Sequence, residues 1–364
     1  MKPTAPEPRA PALRAAEARV LALQRGEGTF DEALQAVLAY QTEHIPALDA
    51  FWKGRGFDHT QGGDVPPVPT DVFKHVALCS DEAPAERVFK TSGTTVGQRG
   101  MAPRISTRCY DHGARIHARA MLFPGGEDLP WVSLVPPAHQ APHSSLAHMV
   151  TDLSEALSTH APHFFAGDQG LALQPLIDHV ATLDGPVLLF GTSLAFDALL
   201  SAASRSALKL HPGSRVVDTG GFKSKAVTLS PEDHHARLCD AFGLRPRDVL
   251  SEYSMTELSS QLYTDSLLRG PGDHATRRLV PPAWCRVIIR DPADLRPLGD
   301  GETGLVSFLD LANVDTPCAI LTSDLGTLDA HGLELHGRAP GATPRGCSLA
   351  TEELLALQHR GQQR

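Results

Sequence analysis

The sequence predicts an α/β fold, a helix-covered sheet preceded by a helical segment and followed by a small antiparallel β-unit. Between residues 12 and 52 apolar residues recur at helical spacing. From about residue 110 onward, short β-like runs alternate with helical stretches, the pattern of a sheet covered by helices. After Cys285 the β-like runs follow one another with only turns between them.

In chain order, Leu13, Ala16, Val20 and Leu23, then Phe30, Leu34, Val37 and Leu38, mark two helices separated by the G-E-G of residues 26–28. A third helix is expected near residues 45–52, and the Gly- and Pro-rich residues 54–70 read as a loop. Strands are expected at 131–135, 187–190, 215–217 and 249–250, and helices at 110–122 and 172–183. The apolar stretch 186–203 contains Gly191, Thr192, Ser193 and Asp197, so it reads as strand, turn and helix, not as a membrane span. R-V-I-I-R, G-L-V-S-F and A-I-L-T, with the turns D-P-A-D and G-D-G-E-T-G, form the β-unit. The expected division is a helical region at 1–64, an α/β core at 65–284, the β-unit at 285–336 and a tail at 337–364.

Bulk properties exclude several classes. The 364 residues, 41% of them hydrophobic, suffice for a large core. With 42 Asp and Glu against 33 Lys and Arg, and no basic run, nucleic acid is not an expected partner. The N-terminus, K-P-T-A-P-E-P-R-A-P, shows no apolar signal segment, and a cytoplasmic protein is the expectation. The six cysteines form no C-x-x-C pair and read as reduced thiols. No G-x-G-x-x-G follows a strand, which removes the dinucleotide-dependent oxidoreductases.

Residues 90–100, K-T-S-G-T-T-V-G-Q-R-G, set Ser92, Thr94 and Thr95 among Gly93 and Gly97. Such a loop can wrap phosphate oxygens, because glycine lets the backbone approach and the hydroxyls and N–H groups donate. The alternative is an ordinary polar turn before the helix at Tyr110. Farther on stand E-Y-S-M-T-E (252–257), T-S-D-L-G (322–326), Gly337-Arg338, G-D-G-E-T-G-L-V (299–306) and D-T-G-G-F (218–222).

In that order these segments resemble the motifs of the adenylate-forming superfamily, which includes acyl-CoA ligases, peptide-synthetase adenylation domains and firefly luciferase. The fold implied is the large N-terminal domain of those enzymes. The resemblance assigns Thr91, Ser92, Gly93, Thr94, Thr95, Gly97 and Arg99 to the phosphates and Gly220, Gly221, Glu252 and Tyr253 to the adenine side. Asp324 goes to the ribose hydroxyls, Arg338 to ribose or phosphate, Thr256 to the α-phosphate, and Glu257 to Mg²⁺. A carboxylate is what that hard cation takes. Two departures stand out: Ser254 where the family has glycine, and Gln98-Arg99 where many relatives have a lysine. An arginine fork does not replace a lysine point charge one for one.

Only 26 residues follow Arg338. A chain without the superfamily's C-terminal lid looks like the acyl-protein synthetase branch, the acid-activating subunit of the fatty-acid reductase in bacterial bioluminescence. P-T-D-V-F-K (69–74), A-P-H-S-S-L (141–146) and R-G-C-S-L (345–349) agree, and the resemblance runs over roughly residues 65–350. It implies an acid–thiol ligase that uses ATP and Mg²⁺ to make an acyl-adenylate from a carboxylic acid, with a fatty acid the first candidate and short-chain and aryl acids left open. The acyl group would pass to a thiol and on to a partner such as a reductase or carrier protein. Cys347 is the candidate thiol by position, with a packed structural cysteine as the alternative. His143 is the candidate beside the substrate carboxylate, with a surface histidine as the alternative. A zinc site from His139, His143 and His148 is disfavoured by the intervening prolines. Gly191 and Thr192 are expected to line the acyl pocket. The rival functions are a ligase delivering to coenzyme A or a carrier phosphopantetheine, and a non-catalytic nucleotide-binding scaffold.

Overall fold

The structure, a computed structural model, describes residues 11–91, 99–220, 230–269 and 277–339. Three helices open the chain: α1 (Pro11–Gln24), α2 (Phe30–His44) and α3 (Pro46–Gly54). Thr29 starts α2 through a capping box, its hydroxyl accepting from Glu32 N while the Glu32 carboxylate accepts from Thr29 N at 3.0 Å. Pro46 supplies the preset first-turn φ for α3.

Short strand β1 (Val68–Pro69) leads through a 3₁₀ turn to the hairpin β2 (Arg87–Lys90) and β3 (Met101–Arg104). Then come α4 (Arg108–Leu122), β4 (Trp131–Ser133), α5 (Ser145–Leu157), β5 (His163–Phe164), β6 (Ala166–Gly167), β7 (Gly170–Leu171) and α6 (Leu173–Ala181). Next are β8 (Leu188–Thr192), α7 (Ser193–Ala202), β9 (Arg215–Thr219), α8 (Pro231–Phe242) and β10 (Val249–Tyr253). The chain continues with β11 (Leu262–Thr264), β12 (Leu279–Val280), β13 (Cys285–Arg290), β14 (Thr303–Asp310), β15 (Ala319–Asp329) and β16 (Gly332–Arg338).

One sheet runs in the order β13-β14-β15-β16-β12-β11-β10-β9-β8-β4-β5, with β1 added beside β15. Strands β5, β4, β8, β9 and β10 are mutually parallel, and from β11 onward the pairing is antiparallel except that β1 lies parallel to β15. The inner parallel strands β4 and β8 are buried on both faces and accordingly read as apolar runs such as L-L-F-G, while the edge strand β5 is partly exposed. The expected strand and helix in residues 186–203 are β8 and α7. No separate turn lies between them, because Thr192 ends the strand and caps the helix.

One continuous hydrophobic cluster joins α1–α3 to the antiparallel strands: Val20, Val37, Leu48 and Phe51 share it with Val287, Val306, Phe308 and Ile320. Two further clusters lie on the parallel half, around Trp131 and Phe190 and around Leu189 and Phe242.

Buried in this interior, His117 of α4 packs 5.5 Å from Tyr263 and donates from Nε2 to Val280 O at 3.2 Å. Burial pushes its pKa down to about 4, against a smaller upward pull from the Val280 oxygen. Between pH 6.5 and 4 the unfolded chain binds a proton that the fold does not, so stability falls as pH falls through that window. Relative to His117→Leu, the wild type is expected to lose roughly 3 kcal/mol between about pH 7 and 4, read from denaturant midpoints. Identical pH slopes for the two proteins would contradict this.

Candidate active site

The carboxyl ends of β4, β8, β9 and β10 lie side by side, and the segments leaving them carry His143, Thr192, Gly220 and the E-Y-S-M-T-E run. In an open parallel sheet, the crevice outside the strand carboxyl ends is where ligands bind. The sequence builds this edge from local hydrogen bonds. Thr192 Oγ1 accepts from Ala195 N at 3.1 Å and starts α7. Ser193 Oγ lies 2.9 Å from the Asp218 carboxylate and 2.8 Å from Gly220 O, tying the end of β8 to the end of β9. Gly220 turns the chain with φ 80°, a conformation that glycine adopts without a Cβ clash. Thr219 donates to the Glu252 carboxylate, joining β9 to β10, and both residues are buried. Gly191 is an interior contact: a Cβ there would meet Leu134 Cβ at 3.0 Å and the Phe196 ring at 3.1 Å.

The phosphate-loop candidate is carried by the β2–β3 hairpin. Thr91 N donates to Gly100 O at 2.9 Å and Thr91 Oγ1 accepts from Gly100 N at 2.9 Å, so Thr91 closes the base of the loop. Arg99 is exposed. Ser92, Gly93, Thr94, Thr95 and Gly97 lie outside the described residues, as do Gly221 and Cys347. His143 is bound to the strand that enters the loop: its Nδ1 lies 2.9 Å from Val88 O, and Lys90 N donates to His143 O at 2.8 Å. A proton on Nδ1 in that contact leaves Nε2 as the acceptor nitrogen of the exposed ring.

At the end of β10, Tyr253 meets residues of the β15–β16 hairpin. Tyr253 donates from its hydroxyl to Asp324 Oδ2 at 2.8 Å. Asp324 Oδ1 lies 3.5 Å from Nε of Arg338, its register partner between β15 and β16. Burial, then the charge of Asp324, holds the Tyr253 phenol protonated well above its ordinary range. One face of the Tyr253 ring is taken by Phe308, stacked at 5.7 Å. Asp324 is itself held in place, its N–H donating to Thr322 Oγ1 at 3.0 Å while that hydroxyl donates to Val306 O.

Sequence reasoning missed the supports beneath Thr256 and Glu257. Arg104 Nη2 reaches Thr256 O at 3.5 Å, and Asn313 Nδ2 donates to Glu257 O at 2.8 Å. Asp310 accepts from Ser259 N and Ser260 N, each at 2.9 Å, and from Ser260 Oγ at 2.6 Å. Burial raises the Asp310 pKa, opposed by these hydrogen bonds. The available signal was D-L-A-N-V-D-T (310–316), polar residues set inside an otherwise apolar connection between strands.

Among solved structures, the chain is similar to an open conformation of 2-hydroxyisobutyryl-CoA ligase in complex with 2-HIB-AMP and CoA. The TM-score is 0.61 at 20% identity, covering 87% of this chain and 76% of that one. A long-chain-fatty-acid-CoA ligase from Archaeoglobus fulgidus gives a TM-score of 0.51 at 16% identity, covering 71% and 52%. At these identities the likeness is one of fold, that of the adenylate-forming enzymes.

In sequence, the long-chain-fatty-acid–luciferin-component ligase of Vibrio harveyi is 26% identical over 159 residues, 40% of this chain and 39% of that protein. The ligase of the same description from Aliivibrio fischeri is 30% identical over 123 residues, 33% of this chain and 30% of that protein. The chain thus matches less than half the length of either relative. The family described as acyl-protein synthetase, LuxE, matches residues 55–356, most of the chain. This chain therefore belongs to the acyl-protein synthetase (LuxE) family.

Proposed function

We propose that this chain is an acid–thiol ligase that activates a carboxylic acid as its acyl-adenylate, with ATP and Mg²⁺, and passes the acyl group to a thiol. The observation that carries the reading is the meeting of Tyr253, Asp324 and Arg338 beside the Thr256–Glu257 turn. These are residues that a nucleotide site of this kind needs, brought together from β10 and from the β15–β16 hairpin about seventy residues on.

In the first step a substrate carboxylate oxygen attacks the α-phosphorus and the bond to pyrophosphate breaks. Positioning and charge stabilisation do most of the work. The hydroxyls of Ser92, Thr94 and Thr95, the backbone at Gly93 and Gly97, and Arg99 receive the departing pyrophosphate. Thr256 holds the α-phosphate, and Asp324 accepts from the ribose hydroxyls. Arg338 meets ribose or phosphate, while Tyr253, Glu252 and the Gly220-Gly221 turn border adenine. His143 stands beside the acid, and Gly191 and Thr192 mark the acyl side.

Among the described residues no three His, Cys, Asp or Glu converge on one point. That donor set fits a cation that arrives on the nucleotide phosphates and meets a single protein carboxylate, Glu257. When bound, Mg²⁺ offsets the repulsion between the carboxylate and ATP.

In the second step a thiolate attacks the acyl carbonyl carbon and AMP leaves. The described cysteines are poor candidates: burial pushes Cys79 up to about 12 and Cys239 up to about 11, and raises Cys109, Cys285 and Cys318 as well. This favours Cys347 or a thiol on a partner protein as the acceptor. A fatty acid is the first substrate to test, because the two bacterial relatives are ligases of long-chain fatty acids.

The test is pyrophosphate release over a panel of acids, followed by intact mass. Acid-dependent pyrophosphate, with an acyl mass shift that Cys347→Ser removes, is the expected result. Pyrophosphate without a mass shift moves the acceptor to another molecule. No pyrophosphate with any acid, with or without a partner protein, overturns the reading.

A further inference from the structure

The connection between β14 and β15, residues 310–318, is buried throughout. Its polar side chains end on the backbone of two separate nucleotide segments. Asp310 takes the amides of Ser259 and Ser260, just past Glu257. Asp315 Oδ2 takes the amides of Ile105 at 2.5 Å and Ser106 at 3.0 Å, just past the strand that leaves the phosphate loop. Asn313 stands between them. Its Nδ2 donates to Glu257 O at 2.8 Å and Pro317 O at 2.9 Å, and its Oδ1 accepts from Ser259 Oγ at 2.7 Å and Arg104 Nη2 at 3.3 Å. Both donors and both acceptor sites of the amide are filled, so its orientation is determined.

The connection is itself held from α2. Gln41, fully buried, donates from Nε2 to the oxygens of Asn313 at 2.7 Å and Thr316 at 2.5 Å, with Val314 O at 3.2 Å, and accepts from Cys318 N at 3.2 Å. This helix lies outside the residues 55–356 that the family matches.

We propose that Asn313 is a positioning residue that sets the Thr256–Glu257 turn for the metal–nucleotide complex, and that Gln41 of α2 sets Asn313. The inference rests on the reading of Glu257 as the residue that meets Mg²⁺. Neither amide need touch the nucleotide. Asn313→Asp keeps the shape but turns a two-hydrogen donor into an oxygen facing the Glu257 and Pro317 carbonyls. Gln41→Glu does the same against Asn313 O and Thr316 O. A protonated carboxyl offers one hydrogen where the amide gave two, so at least one carbonyl still faces an oxygen unless the backbone moves.

The experiment uses the full chain and reads Mg-ATP binding by calorimetry over a Mg²⁺ series, with thermal melting and acid-dependent ATP–pyrophosphate exchange alongside. Asn313→Asp is expected to raise the Mg²⁺ concentration at half-saturation about tenfold, with the KM for the acid unchanged. Gln41→Glu should move it the same way by less. Leu153→Ala, deep in the cluster around Trp131 and Phe190, serves as a control that lowers stability away from the turn. If the variants melt earlier but keep the wild-type Mg²⁺ dependence, as the control should, the amides are merely structural and the inference is overturned. If Asn313→Asp does not fold, Gln41→Glu decides alone. A wild type that binds Mg-ATP but exchanges no pyrophosphate with any acid sinks the proposed activity, while the calorimetric contrast still decides the inference. A wild type that binds no Mg-ATP sinks both.

Discussion

Glu257→Gln is expected to lower acid-dependent ATP–pyrophosphate exchange by about 10²–10³-fold, the usual scale for removing one preorganised electrostatic group. The amide has the same shape as the carboxylate, so the hydrogen bonds that place the turn, from Asn313 to Glu257 O and from Arg104 to Thr256 O, can persist. What changes is the formal charge at a residue that is only 5% exposed. The loss should be concentrated in Mg²⁺ dependence and turnover, with the melting temperature measured alongside to separate any cost to folding. Exchange within about threefold of wild type at limiting Mg²⁺ would remove Glu257 from the metal role, given that one carboxylate commonly anchors this ion.

The second large effect falls on stability. Asp310→Ala removes the acceptor for the amides of Ser259, Ser260 and Ala312 and for the Ser260 hydroxyl, all in a buried region. Each stranded donor carries a desolvation cost, and the total is expected to reach about 3–5 kcal/mol, measured as the loss in unfolding free energy in guanidinium. Asp310→Asn should lose less, because its carbonyl oxygen still receives the Ser259 and Ser260 amides. A loss under about 1 kcal/mol for the alanine variant would mean that water or relaxation satisfies those donors. The two variants also separate energetics from catalysis, since only the alanine variant frees the chain that follows Glu257.

Four of the five parallel strands, β4, β8, β9 and β10, were legible because strands buried in the middle of the sheet are apolar runs, whereas the edge strand β5 was not. Val187, Leu188, Leu189 and Phe190 could hardly be anything else. The short antiparallel strands β2, β3, β11 and β12 were not, because two to four residues carry no period. The α5 helix was hidden behind its own start, where Pro142 and His143 read as loop and only Ser144 marks the cap. The candidate site divides in the same way. Residues proposed to meet a ligand cluster in short motifs, such as Tyr253, Thr256 and Glu257 within one hexapeptide. Residues that hold those motifs are single ordinary polar side chains. Nothing local distinguishes Gln41, Arg104 or Asn313 until the fold brings them together.

The packing of α1–α3 against β13–β15 has a consequence for how the chain comes to be folded at all. Gln41 and Asn313 are 272 residues apart, and the cluster that α1–α3 share with α4 and the segment before it is completed only by the last strands. During synthesis α4 can cover part of α1, but the rest of this apolar surface stays open until β13–β15 have left the ribosome. Long-range closure of this kind is slow and leaves apolar surface open to aggregation in the meantime. Shortened chains that end before β15 should therefore collect as insoluble material even though their parallel strands are complete. Efficient production of the native chain depends on the rate at which its final third is delivered.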